Sequence, residues 1–372
     1  MAAPCHAELT SVAPDEIVVT FSTDADEPVV TRIGDAEHTT RGPVHVVRAT
    51  GLEPATEYGI EVEGAEPGTW LPPSTRTLEL PPGRHVATVA TANDVHFGEI
   101  RCGITGFAEV DAAGPILMAE PGDDPYPEVM NRAVVAEIDA LAPDAVVVKG
   151  DLTDRGSEEE YAAFLAAYGA LGDRMFHVRG NHDAMIDPAM AIEDAPYTVD
   201  LEGVTLAVLD TVNPGTDAGR LDAEQVRWLD DLATERSGPV IVLGHHHCWN
   251  VDGGSRDGEY FGIQPDDSEA LVATFARHDN LVAYSAGHTH TNRVRRFAAT
   301  GSRPFGEVAS TKEFPGAWAE YRIYEGGFTQ VMRRVTEPEA FAWAQKTRAL
   351  IQGVYTDLVF GGLEHRCFTQ VF

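Results

Sequence analysis

The stretch DAVVVKGDLTDRG, residues 144–156, carries four apolar residues into a lysine and a glycine and then turns polar. A short apolar run bounded by glycine reads as a strand buried on both faces, so Asp151, Asp154 and Arg155 fall on the loop at its C-terminal end. The pattern recurs four times. HVATVATANDVH (85–96), MFHVRGNHD (175–183), GPVIVLGHHH (238–247) and LVAYSAGHTH (281–290) each end an apolar run in Asp, Asn or His. Between these runs lie segments with apolar residues at helical spacing: NRAVVAEIDAL (131–141), EEEYAAFLAAYGAL (158–171), AEQVRWLDDLATE (223–235) and SEALVATFARH (268–278). TVDLEGVTLAVLD (198–210) reads as a hairpin. Alternating strands and helices predict an α/β layered fold, whose loops at the strand C-termini converge on one ligand site.

Outward from this core the pattern changes on both sides. Residues 1–84 read as short alternating strands such as EIVVTF (16–21) and HVVRAT (45–50), separated by Asp, Gly and Pro turns, which predicts a small all-β sandwich. LPPS (71–74) and LPPGR (80–84) mark the boundary, leaving 85–335 for the α/β domain. Beyond it, EPEAFAWAQKTRALIQGVYTDL (337–358) has helical spacing, so 336–372 are expected to be a C-terminal helix and tail packed on that domain.

Composition narrows the partners. The formal charge is -32, with 59 acidic residues against 27 basic ones, which disfavours a nucleic-acid duplex because binding one relies on many Lys and Arg contacts to phosphate. Lys149, Lys312 and Lys346 are the only lysines, so there is no polybasic segment to hold an anionic membrane. No apolar run approaches the roughly 20 residues of a membrane span. Cys5, Cys102, Cys248 and Cys367 lie far apart with no CxxC pair, which fits reduced thiols and a cytoplasmic location.

A single DVH or GHTH is a weak signal, but DxH, GDxxD, GNHD, GH and GHxH in that order, each on a strand exit, form a specific set. In these motifs the chain resembles the calcineurin-like metallophosphoesterases over roughly residues 85–335. The resemblance implies a four-layer αββα sandwich and a dinuclear centre. Asp94, His96 and His290 would hold one metal ion and Asn181, His245 and His288 the other, with Asp151 bridging. A carboxylate suits the bridge because it faces two cations with two oxygens and offsets part of their repulsion. His246 is the alternative to His245 within GHHH, and His247 is open to a substrate-facing or an outer supporting role. Nitrogen and hard oxygen donors without thiolate suit two ions drawn from Mn, Fe, Zn or Co. Hydroxide activated between the ions would then attack a small-molecule phosphoester.

The resemblance also implies that His182 touches the phosphate or protonates the leaving oxygen, that Asp154 orients His182 with Asp183 as a second partner, and that Arg155 reaches a phosphate oxygen. Within the superfamily, DVH matches the cyclic-nucleotide and glycerophosphodiester phosphodiesterase branch. Asp154 stands where purple acid phosphatases carry an iron-ligating tyrosine, although those enzymes also carry an N-terminal β-sandwich. GLEPATEYGIEVEG (51–64), with Leu52, Pro54, Thr56 and Tyr58, resembles the corner before a late strand of fibronectin type III domains. A phosphodiester is therefore the expected substrate, with a phosphomonoester, including a phosphoprotein, as the rival and a catalytically silent metal-binding module as the rival of another class. Two insertions beside the strand exits, 97–128 and 248–263, are placed to set specificity. In the second, Trp249, Tyr260 and Phe261 either stack on a substrate ring or pack the loop on itself.

Overall fold

The computed structural model describes residues 3–103, 114–191, 195–258 and 260–372. The chain begins with two antiparallel sheets. β1 (Cys5–Val12), β2 (Glu16–Ser22) and β5 (Val44–Thr50) form one, and β4 (Ala36–Arg41), β3 (Pro28–Ile33), β6 (Glu57–Val62) and β7 (Ser74–Arg76) the other. Their facing side chains, among them Leu9, Ile17, Val19, Phe21, Ile33, Val47 and Ile60, make a separate small core. At the corner before β6 the Tyr58 hydroxyl accepts the Glu53 amide N–H at 2.9 Å, the contact expected of a fibronectin-like tyrosine corner.

Two six-stranded sheets follow. The first has the order β10 (Met175–Val178), β9 (Ala145–Lys149), β8 (His85–Ala92), β17 (Ala317–Tyr324), β18 (Gly327–Arg334), β19 (Cys367–Val371), with β8, β9 and β10 parallel. The second has the order β11 (Tyr197–Leu201), β12 (Val204–Val208), β13 (Val240–Leu243), β14 (Leu281–Ala286), β16 (Pro304–Glu307), β15 (Arg293–Arg296), parallel from β12 through β16. Alternation along β13 shows how the layers stack. Ile241 and Leu243 join the core shared with the first sheet, whereas Val240 and Val242 face the cluster built by α3 (Ala223–Glu235) and α4 (Pro265–Arg277). α1 (Tyr126–Leu141) and α2 (Glu158–Tyr168) cover the first sheet, which completes an αββα sandwich. α2 begins in a capping box in which Ser157 and Glu160 satisfy each other's backbone N–H groups.

The end of the chain differs from the single terminal helix expected from its spacing. It breaks into α5 (Pro338–Lys346), 3₁₀ turns, α6 (Tyr355–Val359) and α7 (Leu363–Arg366) before β19 adds an edge strand to the first sheet. Leu350 and Gln352 depart from helical backbone, the latter in the left-handed region. Apolar spacing of 3.6 recorded burial of one face here but not the breaks.

Buried ion pairs join the β-sandwich to the α/β layers. Glu8 accepts from Arg334 at 2.8 Å and Arg348 at 2.6 Å, and Arg333 pairs with Glu16 and with Glu320 at 2.5 Å. The Arg366 guanidinium donates to the carbonyls of Leu9 and Thr10 at 2.9 and 2.7 Å. Removing one charge from such a set leaves its partners desolvated without compensation. Glu8→Gln is expected to cost about 3–5 kcal/mol in urea unfolding, whereas Glu37→Gln, which breaks the exposed pair with Arg32, should cost less than about 1 kcal/mol.

Candidate metal centre

Five loops leaving the C-terminal ends of β8, β9, β10, β13 and β14 meet at the seam between the two sheets. The first two run alongside each other: Asp94 N–H donates to Gly150 O at 3.0 Å, Val95 and His96 N–H to Asp151 O at 2.9 Å each, and Phe97 N–H to Leu152 O at 3.0 Å. This zipper extends the parallel pairing of β8 and β9 beyond the strands and sets Asp94, His96 and Asp151 side by side. Asp94, His96, Asp151, His288 and His290 all hold left-handed φ values between 46° and 71°. Non-glycine residues in that region cost about 1–3 kcal/mol each and persist where the surroundings fix them. Gly180 is required for a different reason: a Cβ there would collide with the Asp151 carboxylate and the Asp151 amide.

The side chains form two groups around Asp151. Asp94, His96 and His290 lie with their ligand atoms within 4.8 Å of one another, and so do Asp94, Asp151 and His245. Asp151 is 3.5 Å from His96 Nε2 and 3.3 Å from His245 Nε2, and it accepts the His182 amide N–H at 3.0 Å. His245 Nε2 is also 3.0 Å from Asn181 Oδ1. The Asp94 carboxylate accepts the His288 amide N–H at 3.1 Å and lies 3.5 Å from His290 Nε2. A third cluster joins His245, His246 and His288.

The three rings of GHHH differ in what they face. His245 Nδ1 lies 2.8 Å from the Lys149 carbonyl, which can only accept, so Nδ1 carries a proton, while Nε2 points at two further acceptors, Asn181 Oδ1 and the Asp151 carboxylate, where either a proton or a cation would be held. His246 Nδ1 instead meets Thr211 Oγ1 at 2.9 Å, a hydroxyl that already accepts the amide N–H groups of His245 and His246. Its remaining proton points to His246 Nδ1, which leaves Nε2–H as a donor.

The electrostatics suit bound cations. Burial disfavours a charged His245, yet Asp151 outweighs it and holds the ring's pKa up at about 9. Burial also opposes charge on His290, where Asp94 and Glu313 prevail and raise it to about 10. Burial, with Lys312 and neighbouring histidines, drives His96 well below its ordinary value, and burial with His246 and His245 does the same to His288. Both nitrogens of His96 and the Nε2 atoms of His246 and His288 are buried without a hydrogen-bond partner. Orphaned imidazole nitrogens beside buried carboxylates are costly unless something electropositive sits among them, and N/O donors of this kind fit transition-metal ions.

The residues expected around the cluster take these places. His182 Nδ1 donates at 2.7 Å to the main-chain carbonyl of Asp154, and the Asp154 carboxylate lies within 4.8 Å of the His182 and His96 ring nitrogens and 3.4 Å from Arg155 Nε. Burial opposes charge on His182, but Asp151 and that carbonyl raise its pKa on balance. Asp183 does not partner His182: its carboxylate accepts from the N–H groups of Leu152, Thr153 and Gly180 and from Thr153 Oγ1, binding the GDxxD and GNHD loops together. Arg155 is 77% exposed beside Asp154. His247 is buried beneath Tyr260, with Nδ1 3.9 Å from Glu307; that burial does not fit a substrate-facing role and leaves the supporting one.

Other contributors had no motif to announce them. Glu313 accepts His290 Nδ1–H at 2.5 Å, Cys102 Sγ–H at 2.9 Å and the Tyr355 hydroxyl. Positive charge on Lys312 and His290 holds the buried Glu313 carboxyl low despite its desolvation. The C-terminal segment supports this loop further, since Trp343 Nε1 donates to Lys312 O at 3.0 Å and Thr347 Oγ1 accepts the Phe314 N–H at 2.8 Å. Lys149, buried in the first sheet, reaches across the seam to Ser285 Oγ at 3.0 Å and Ala286 O at 2.6 Å in the second. Burial lowers its pKa to about 7.

A double sheet flanked by helices, with Asp, Asn and His converging from strand ends at its seam, is the architecture of a metallophosphoesterase. The chain belongs to the calcineurin-like phosphoesterase family, which it matches over residues 87–292. A glycerophosphodiester phosphodiesterase of Enterobacter lignolyticus is 27% identical over 226 residues, 56% of this chain and 73% of that protein. A probable cyclic nucleotide phosphodiesterase of Synechococcus is 25% identical over 202 residues, 52% and 78% of the respective chains. Among solved structures, a dimetal phosphatase from Danio rerio shares the fold with a TM-score of 0.50 at 14% identity, covering 68% of this chain and 98% of that one. Among the described residues no helix is long and apolar enough to cross a membrane, and the four cysteines are free.

Glu313 gives a direct test of the support around the cluster. Glu313→Gln should lower stability and weaken metal binding about 10–100-fold, measured by titrating folded, metal-depleted protein with Mn or Zn.

Proposed function

We propose that this protein is a phosphodiesterase that works with two transition-metal ions, Mn, Fe, Zn or Co. The observation carrying the reading is the Asp151 carboxylate, in reach of both histidine groups at once. In this reading Asp94, His96 and His290 would hold one ion and Asn181, His245 and His288 the other, with Asp151 shared by both. Reach to the Asp151 carboxylate and to Asn181 favours His245 over His246. When bound, the ions supply Lewis acidity to the phosphoryl oxygens and bring the pKa of water towards neutrality.

The chain's own groups do the rest. Asp151 and Asp94 offset the charge of two cations at the seam. Asn181 contributes a neutral oxygen and keeps the total negative charge down. His182, anchored through Nδ1 on the Asp154 carbonyl, is left with Nε2 to hold a proton against a phosphoryl oxygen or pass it to the departing alkoxide. Arg155, exposed beside Asp154, would meet a free phosphate oxygen. The preference for a diester is supported by the DVH motif and by the two relatives, both diesterases by name.

The test uses Mn-reconstituted and chelated protein on an aryl phosphodiester and the matching monoester. Diester turnover should dominate, vanish on chelation, and vanish in Asn181→Ala, whose metal content falls in parallel. His182→Ala should keep its metal and lose about 10²–10⁴ in kcat. Faster monoester turnover would replace the diesterase reading with a phosphomonoesterase, and metal binding without turnover of either ester would replace it with a silent binding module.

A further inference from the structure

Of the three aromatic residues in the 248–263 insertion, two are committed to the loop itself. Trp249 is buried, donates its indole N–H to Ser255 O at 3.1 Å and carries the Arg256 guanidinium over its ring at 5.1 Å. Tyr260 packs against His247 with ring centroids 5.3 Å apart. Phe261 is different. Its ring centre is 4.1 Å from that of His288, yet 52% of the residue remains open to solvent. An aromatic ring held in water beside a candidate ligand forgoes burial that the adjacent core could have provided.

The ring is also held in place by its backbone. Gly219 N–H donates to Gly262 O at 2.8 Å, Ile263 N–H donates to His247 O at 2.9 Å, and Gln264 Nε2 donates to Tyr260 O at 2.8 Å. Gly262 has a φ of 147°, and a Cβ there would lie 2.7 Å from His247 Cε1 and 2.8 Å from His247 O. The turn is therefore pressed against the strand exit that carries GHHH, which fixes Phe261 before any ligand arrives. Ile186 and Ile100, on the loops that follow His182 and His96, are also exposed, so the loops around the cluster carry apolar side chains as well as charged ones.

We infer that Phe261 is a specificity-determining residue: a stacking platform for an aromatic substituent, a nucleobase or an aryl ring, on one alcohol of the phosphoester. This rests on the diesterase reading. A phosphoryl group held at the cluster would put its alcohol substituents near the His288 ring, and among the described rings packed on His288 it is Phe261 that is exposed. Offset stacking on a rigid ring favours flat π-systems over flexible aliphatic alcohols, because a pre-fixed partner loses little entropy on contact. The favoured substrates are thus nucleotide or aryl diesters rather than diesters of glycerol and a small aliphatic alcohol.

The experiment compares full-length, Mn-reconstituted wild type, Phe261→Ala and Phe261→Trp on an aryl diester, a cyclic nucleotide and glycerophosphoethanolamine. Phe261→Ala should raise KM about tenfold for the aromatic substrates, as expected for the loss of one stacked ring, with kcat nearly unchanged and glycerophosphoethanolamine unaffected. Phe261→Trp should restore the aromatic KM. An equal loss on all three substrates, or a loss confined to kcat, would show that Phe261 merely packs His288 and would overturn the inference, as would no change on any substrate. Wild type that turns over no diester would instead refute the diesterase reading. The stacking claim is then decided by direct binding of adenosine monophosphate and glycerol 3-phosphate to the metal-loaded proteins. Only adenosine monophosphate should weaken in Phe261→Ala, and parallel behaviour of the two ligands would refute the platform.

Discussion

The Asp151 carboxylate is buried at the seam between two sheets, and its desolvation constrains every loop around it. A buried carboxylate with no compensation costs many kcal/mol, and this one is compensated from several directions. His96 approaches from the β8 exit, His245 from the β13 exit, and the His182 amide from the β10 exit. Burial alone would raise its pKa, but His245 and His182 pull it well below the ordinary value. The two sheets are therefore held in register at this point by charge as well as by the apolar core that Ile241, Leu243 and Val147 share.

Close approach explains the strained backbone. Five candidate ligands adopt left-handed φ values, a cost tolerated because the loops that carry them are bonded to one another. The Asp94 and Asp151 loops run as a ladder, and Asp183 gathers four donors from the GDxxD and GNHD loops. Such a cluster is pre-organised: hydrogen bonds between the loops set the positions of the candidate ligands.

Around this centre lie two supporting shells with different origins. One is built by the end of the chain, where Tyr355, Trp343 and Thr347 brace the 312–314 loop and so orient His290 through Glu313. The other is the 248–263 insertion, which covers His247 and sets Phe261 beside His288. Arg348 lies between α5 and α6 and pairs with Glu8 of the β-sandwich. A continuous set of contacts thus runs from the N-terminal sheets through the C-terminal segment to the site.

What could be read from the sequence had local periodicity or a local motif. The strands at Ala145–Lys149, Val240–Leu243 and Leu281–Ala286, an α/β layered fold and the position of each polar cluster at a strand end follow from apolar runs broken by glycine, and the N-terminal sheets from short alternating strands. The αββα layering and the Tyr58 corner come from motif resemblance. Asp94, His96, Asp151, Asn181, His245, His288 and His290 were named by motif order, and the fold brings them together; their roles as ligands remain the proposal argued above. The tertiary structure decided what depends on distant partners. No spacing links Glu313 to His290, Lys149 to Ser285, Tyr355 to Glu313 or Phe261 to His288, because side chains that satisfy one another across a seam need only meet in space. The surroundings of His245 were likewise invisible in GHHH, where three identical residues are separated only by what each ring faces: a carbonyl for His245, a hydroxyl for His246 and a carboxylate for His247.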